Sequence, residues 1–396
     1  MNLVVRGCTL IIKNIFLRCL ITLKMKTAIV HDWLTTFAGS ERCVESFTNI
    51  WDDADIFSLV NFLDDDDKQI ILKGKSVKTS FVQKLPFAKH YHRHYFPIFP
   101  LAIEQFDLSG YDLVISSSHA FAKGALTNAN QLHICYCHTP IRYAWDLTNQ
   151  YFDKRSLISR IQKIVLQPVL HNIRTWDVAS SNRVDYFIAN SNYIAKRIKK
   201  IYRRDAEVIY PPVDTEKFSC KPSKENFYLT ASRFVPYKKI DLIAEAFSKM
   251  PDKKLIIIGE GPDEQKIRAK CGKNVEMLGY KKADKLAEYM QRAQAFVFAA
   301  EEDFGISVIE ALSCGTPVIA LNKGGTAETI ADDKFGIHFA EQSPEEIISA
   351  VNRFEKSRNS FDPQILTDYA KQFDRSVFEE KIKSFVKTKC DEFFKK

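Results

Sequence analysis

Short apolar runs recur along the chain, each closed by small polar or turn-forming residues and followed by a stretch with helical spacing. Residues 25–30, 55–60, 111–117, 133–138, 186–191 and 207–210 form one series of such runs. Brief, nearly continuous apolar runs of this kind predict strands buried on both faces, as in a parallel sheet. Pro211 and Pro212 then interrupt the pattern. Neither can continue a helix, and the pair favours extended backbone. The alternation restarts at residues 226–233, 255–258, 274–280, 295–300 and 318–320, and from Glu345 onward the spacing is helical. Two series of strand-helix units on either side of a proline break predict two α/β domains. The boundaries expected are an extension over 1–24, a first domain over 25–205, a hinge over 206–222, a second domain over 223–375 and a last helix over 376–396. A chain of 396 residues is long enough to build two cores.

One stretch organises the second series. The run 295–300 is followed by Glu301, Glu302, Asp303, Phe304 and Gly305, and then by Ile306, Ile309, Ala311 and Leu312 at helical spacing, with Gly315 and Pro317 as the stop. An acidic loop therefore joins the carboxyl end of a strand to the start of a helix. Open α/β sheets place ligands at such ends, and free N–H groups at a helix start favour phosphate. Glu302 stands on the loop and Glu310 eight residues on, inside the helix. Carboxylates near a helix start also suit the helix dipole with no ligand at all. The same choice arises elsewhere. Gly39 opens a helix after the first strand, as a tight turn or as a close approach to a phosphate. Arg233 and Lys238 lie five apart across a turn, as surface charges or as two cations converging on one diphosphate, with Lys239 the alternative lysine. Gly259 and Gly261 form a G-x-G after a strand, without the third glycine or the downstream acid of a dinucleotide fingerprint. His138 closes the run 133–138, a position where a lone histidine is most often structural.

Charge and cysteine content narrow the classes. The net charge is +8, and Arg6, Lys13, Arg18 and Lys24 account for half of it. What remains is too mild and dispersed for nucleic acid. Nine cysteines without framework spacing suit a reducing cytosol. The acidic run Asp64 to Asp67 reads as a solvated loop and not as a metal site, because no second ligand cluster accompanies it. Between 81 and 106, Phe81, Phe87, Tyr91, Tyr95, Phe96, Phe99 and Phe106 interleave with Lys84, Lys89, His90, His92, Arg93 and His94. That mixture suits either a membrane interface or a core-packing helix pair with a polar outer face. Residues 1–24 hold no unbroken apolar run long enough to span a bilayer. They are expected either to precede the true start at Met25 or to form an amphipathic membrane-surface segment.

Several segments, in order, carry a resemblance. The sentence from Glu302 through Phe304, Gly305, Glu310, Ala311, Gly315 and Pro317 to Val318 resembles the E-x7-E signature of GT-B glycosyltransferases of family 4, which retain the donor's anomeric configuration. Ser232-Arg233 with Lys238, the run Tyr136-Cys137-His138-Thr139-Pro140 with Arg142, Tyr143 and Trp145, and Pro211-Pro212 with Asp214 are similar to other segments of that family. The family carries Gly-Gly or Gly-Ala at the first loop. Here Gly39 is followed by Ser40, so only Gly39 is carried over. The resemblance implies two Rossmann-like domains facing across a cleft, the last helix crossing back to the first domain, and transfer of a sugar from a nucleoside diphosphate to a hydroxyl. It implies that Arg233 and Lys238 hold the departing diphosphate, that Glu302 and His138 touch the sugar, and that Glu310 holds the ribose. Backbone around Gly39, Phe304, Gly305 and Ile306 would face phosphate, and Gly259 and Gly261 would lie beside the nucleotide. No metal and no cofactor are implied.

His31-Asp32-Trp33-Leu34 with Gly39-Ser40-Glu41 resembles enzymes of O-antigen and exopolysaccharide synthesis, often mannosyltransferases using GDP-mannose. The acceptor expected is a polyprenyl-diphosphate-linked glycan, and the place the cytoplasmic face of the inner membrane. A sugar-nucleotide epimerase or a phosphorylase-like enzyme of the same fold is an alternative, though no cofactor-anchoring lysine site for the latter is evident. A catalytically silent scaffold subunit is another, but it need not keep Arg233, Lys238, Glu302 and Glu310 together.

Overall fold

The computed structural model describes residues 25–146, 157–221 and 224–394, so the extension expected over 1–24 lies outside the described residues. The first series of apolar runs becomes β1 (Thr27–His31), β2 (Asp55–Ser58), β3 (Val77–Thr79), β4 (Leu113–Ser118), β5 (Leu132–Cys137), β6 (Tyr186–Ala189) and β7 (Ala206–Val208). They form one parallel sheet in the order β3-β2-β1-β4-β5-β6-β7. The second series becomes β8 (Tyr228–Ala231), β9 (Leu255–Ile258), β10 (Val275–Met277), β11 (Phe296–Phe298), β12 (Val318–Leu321) and β13 (Gly336–Phe339), in the order β10-β9-β8-β11-β12-β13. Both orders reverse at the first strand of the set, between β1 and β4 and between β8 and β11. These are two Rossmann-like domains, as expected.

The reason for the continuous apolar runs is visible in β1. Ala28 and Val30 face one core with Phe57, Val114, Phe99 and Ile103, while Ile29 faces the other with Val44, Phe47 and Ile115. Successive side chains point to opposite faces, and both faces are covered. Among the helices are α1 (Gly39–Ile50), α2 (Asp65–Leu72), α3 (Leu157–Ser181), α4 (Asn192–Tyr202), α5 (Ile306–Ser313) and α6 (Arg375–Phe394). Helix α6 follows the second domain in sequence and packs on the first. Its Phe378, Ile382 and Val386 join the core under α1, and the Phe378 ring lies 5.9 Å from Phe47 and 5.6 Å from Tyr136.

The chain thus crosses between the domains twice, and the two crossings are tied together. Val213 donates its N–H to Phe373 O at 3.0 Å and accepts from Arg375 N at 3.1 Å. The Arg375 guanidinium pairs with Asp214 at 2.7 Å and with Glu45 of α1 at 2.8 Å. The two proline residues leave this segment extended, so its backbone groups must bond across to the neighbouring crossing.

Three local expectations differ from the structure. The hinge was expected from residue 206, but Ala206–Val208 pairs with β6 as the edge strand of the first sheet. The acidic run is not a loop. Asp64 caps α2 by accepting the Asp67 N–H at 2.8 Å, and acids suit the first turn of that helix. Residues 81–106 form not a helix pair but a series of short helical segments, broken at Pro86 and Pro97, with Pro100 opening the helix Phe99–Glu104. Their inner face carries Val82, Phe99 and Ile103, and Phe87, Tyr91 and Leu101 stay exposed.

Because Phe378 anchors α6 to the first domain from inside its core, Phe378→Ala is expected to destabilise that domain by about 3–5 kcal/mol. Urea denaturation followed by circular dichroism checks this, and an unchanged midpoint would mean that the helix merely rests on the surface.

Candidate active site

Ligands of open α/β sheets bind outside the carboxyl ends of the strands where the strand order reverses. Here two such points face each other. Beyond β1 stand Asp32 and the start of α1, and beyond β4 stands His119. Beyond β8 stands Arg233, and beyond β11 stand Glu302 and the start of α5. Between them lies a cavity of about 580 Å³.

Gly39, His138, Arg233, Lys238, Glu302, Phe304, Gly305, Ile306 and Glu310 all line this cavity. Residues from five separate loops and helices are therefore brought together. Gly259 and Gly261 are not among them. A Cβ at Gly259 would overlap the Ser232 carbonyl oxygen, and one at Gly261 would overlap the Phe234 backbone. These glycines let the β9 loop pack directly behind the segment that presents Arg233. That packing is what the structure shows of the two glycines, which support the Arg233 segment from behind.

The charges are arranged in pairs, most of them across the cleft. Arg42 on α1 reaches across to Glu310 on α5, with Nη2 2.8 Å from Oε1. Lys238 pairs with Glu302. Arg142 pairs with Asp303 at 2.5 Å, and Arg197 stands 3.6 Å from the same oxygen. Burial alone would raise the Glu302 carboxyl, but Lys238 and Arg142 bring it below the usual range. For Asp303 burial wins over Arg142 and Arg197, and its carboxyl is pushed up. Arg233 is exposed and makes no ion pair among the described residues, so its guanidinium is available to an anion. Lys239, the alternative lysine, takes the left-handed position at φ 57° and turns to a neighbouring cavity with Glu301 and Tyr193.

Backbone closes the site on both sides. The start of α5 follows Gly305, at φ 92°, and its first residues Ile306 and Ser307 line the cavity, where N–H groups of a helix start have no partner within the helix. Glu302 is held by the glycine loop after β12, where Gly325 N donates to Glu302 O at 2.7 Å. A Cβ on Gly324 would overlap that same carbonyl, so the approach requires glycine there. On the other side, Asp32 is fully buried and accepts N–H groups from His119 at 2.6 Å, Ala120 at 3.0 Å, Phe121 at 2.5 Å and Ala122 at 2.7 Å. Burial opposes its charge, but His119, His31 and these N–H groups hold the carboxyl below its ordinary value. The loop bearing Arg142 is pinned in turn, with Trp145 Nε1 donating to buried Asp177 at 2.8 Å.

Sequence reasoning missed Arg42, His119, Arg142 and Asp303. Arg42 and Arg142 stood inside segments already singled out, three residues after Gly39 and four after His138. Their charge at a sheet end was the available signal. Glu328 stands in the first turn of the short helix Thr326–Thr329, and its two oxygens also accept the Asn192 N–H of α4 at 3.0 and 3.1 Å, capping a helix of the other domain.

Comparison with known proteins gives the site a context. Residues 58–217 match the model of Glycosyltransferase Family 4, and residues 214–373 match that of Glycosyl transferases group 1. An uncharacterized glycosyltransferase of Methanocaldococcus jannaschii is 31% identical over 180 residues, covering 43% of this chain and 51% of that protein. The alpha-1,3/1,6-mannosyltransferase ALG2 of Dictyostelium discoideum is 26% identical over 284 residues, covering 59% of this chain and 63% of that protein. The chain thus spans about half to two thirds of the length of these relatives. The crystal structure of Anabaena HepE in complex with UDP-glucose superposes with a TM-score of 0.67 at 18% identity, covering 92% of this chain and 100% of that one. The fold is the two-domain GT-B fold of glycosyltransferases.

Asp32→Asn replaces a full acceptor by an amide whose NH₂ would face the same N–H donors. It is expected to cost about 3 kcal/mol at pH 7. The folded carboxyl titrates below its ordinary 3.8, so its stabilisation is complete above that value and is lost as pH falls through the lower folded value. The stability gap between wild type and variant is therefore expected to narrow below about pH 4. Urea midpoints measured from pH 7 to pH 3 check the sign, and a gap that widens on acidification would contradict it.

Proposed function

We propose that this protein is a retaining glycosyltransferase that moves a sugar from a nucleoside diphosphate to a hydroxyl of a glycan acceptor. The observation that carries the proposal is the convergence of Arg233, Lys238, Glu302 and Glu310 on one cavity between two facing sheet ends. The two glycosyltransferase family models over successive parts of the chain support it.

In this reading the diphosphate lies between Arg233 and Lys238, with N–H groups near Gly39 and at the start of α5 completing the anion site. Negative charge grows on the diphosphate as the C1–O bond breaks, so these groups act more strongly on the transition state than on the bound donor. Glu302 lies beside Lys238 and is ionised. It accepts from sugar hydroxyls and stabilises the positive charge that develops at C1. Glu310 accepts from the ribose hydroxyls, which then share it with Arg42. The acceptor oxygen bonds to C1 on the face the diphosphate leaves, and its proton passes to the departing phosphate oxygen. The cation pair does the work of a divalent metal, and closure of the domains keeps water from the donor.

GDP-mannose is the donor we favour, supported by the likeness to a mannosyltransferase. UDP-glucose is the second reading, supported by the fold likeness to a protein crystallised with it. A polyprenyl-diphosphate-linked glycan is the acceptor proposed, at the cytoplasmic membrane surface. Phe87, at 77% exposure, with exposed Tyr91 and Leu101 among Lys84, Lys89 and Arg93 suits an anionic bilayer. Among the described residues no helix is long and apolar enough to cross a membrane.

Thermal-shift screening against nucleotide sugars identifies the donor, because a ligand that binds the folded state raises the melting temperature. With that donor, Arg233→Ala is expected to lower kcat/KM by about 10²–10³-fold with the fold unchanged. Turnover is expected to survive EDTA. Wild-type activity in the variant, or loss of turnover with chelator, contradicts the mechanism. Phe87→Ser with Tyr91→Ser is expected to lose sedimentation with phosphatidylglycerol vesicles while transfer to a water-soluble acceptor persists. Retained sedimentation would place the membrane contact elsewhere.

A further inference from the structure

We propose that Ser117 is a positioning residue that fixes the tautomer of His138, so that His138 meets the donor sugar as an Nδ1–H donor and not as a base. The consequence for catalysis rests on the glycosyl-transfer reading, whereas the geometry does not.

Ser117 lies on β4, paired with His31 of β1 and one strand away from His138, which follows β5. His31 Nδ1 is 3.1 Å from the Ser117 carbonyl oxygen and 3.1 Å from Ser117 Oγ. A carbonyl oxygen only accepts, so His31 Nδ1 carries a proton and donates it. Ser117 Oγ therefore faces a donor on the His31 side. Its own hydrogen is left for the neighbour on its other side, His138 Nε2, at 2.8 Å. His138 Nε2 accepts, and a neutral ring that accepts at Nε2 carries its proton on Nδ1.

The surroundings keep the ring neutral and still. Burial, with His119 and His31 close by, holds His138 well below the usual imidazole range. Its N–H donates to Ser118 O at 2.8 Å, and Asn190 Nδ2 donates to its carbonyl at 3.0 Å. Its ring packs edge-on against Tyr136 at 5.0 Å. His138 lines the cavity, and among the described residues no hydrogen bond engages its Nδ1. That N–H is what the ring offers to a ligand hydroxyl. A general base would need a lone pair facing the acceptor, and the lone pair of His138 is turned inward on Ser117. In the proposed transfer the acceptor proton goes to the departing phosphate, so a donor at this position completes the site without a second proton carrier. One residue earlier, Ser116 Oγ meets buried His133 Nε2 at 2.8 Å, away from the cavity. That pair is an internal reference for the same geometry without a ligand role.

The test is a long-range ¹H–¹⁵N correlation spectrum of the full chain labelled at histidine, with His138→Gln to assign the ring. The expected result is His138 protonated at Nδ1 and bare at Nε2 in the wild type, and a shift toward Nε2–H in Ser117→Ala. His133 should not change. In transfer assays Ser117→Ala is expected to lower kcat about fivefold, the loss of one ordinary hydrogen bond, with affinity for the nucleoside diphosphate alone unchanged. A wild-type ring protonated at Nε2, or a His138 tautomer indifferent to Ser117→Ala, overturns the proposal. The wild-type spectrum decides even if the variant does not fold. If the tautomers are as expected and no nucleotide sugar is consumed, the role of Ser117 stands and the glycosyl-transfer reading falls.

Discussion

Charges that cross the cleft hold this molecule together and set its chemistry at once. The second domain presents Glu301, Asp303, Glu310 and Glu328. The first answers with Tyr193 on Glu301, Arg142 and Arg197 on Asp303, Arg42 on Glu310 and the Asn192 N–H on Glu328. Most of these groups are largely withdrawn from water, the Glu310 side chain being 5% exposed and Arg42 16%. A half-buried ion left without its partner costs a few kcal/mol. The approach of the domains and the balance of charge in the cavity are therefore one constraint. A ligand entering the cavity must share these partners or replace them, so occupancy and domain closure are coupled by electrostatics.

Parallel strands make that constraint possible. The strands that carry the site loops, β1, β4, β5, β8 and β11, are internal, their backbones bonded on both sides, and only the short loop after each is free to choose its chemistry. Two sheets whose order reverses at the first strand place the strand ends around one crevice each, and the tied crossings at Val213 and Arg375 hold the crevices face to face. Precision comes from what lies behind each loop. Gly324 and Gly325 abut Glu302, Gly259 and Gly261 abut the Arg233 segment, and buried Asp177 holds the loop of Arg142 through Trp145. Side chains placed this way keep their aim because their supports have no room to move.

The first domain adds a buried polar lattice at its strand ends. Asp32 gathers four N–H groups, and His31, Ser117 and His138 form a chain leading outward to the cavity. Every link has a partner of the right kind, which is the condition under which buried polar groups rigidify a site instead of weakening it. Glu41 belongs to the same lattice. It accepts from Ala38 N at 3.2 Å at the start of α1, beside His31, so the helix that carries Arg42 is set by the residues that orient the histidines.

How far the sequence alone reaches follows from range. Apolar runs, proline breaks and glycine-capped helix starts are local, and they were enough for two parallel α/β domains and for the loops that carry Gly39, His138, Arg233 and Glu302. That Glu302 and Glu310 would face one site was legible too, because a helix start fixes the spacing of residues eight apart. What no local pattern carries is which distant groups meet. That Arg42 faces Glu310 across 268 positions and that Glu328 caps a helix of the other domain follow from how two folded bodies pack. Charge pairing acts over a few ångströms of space and is blind to distance along the chain, so only the tertiary structure decided it.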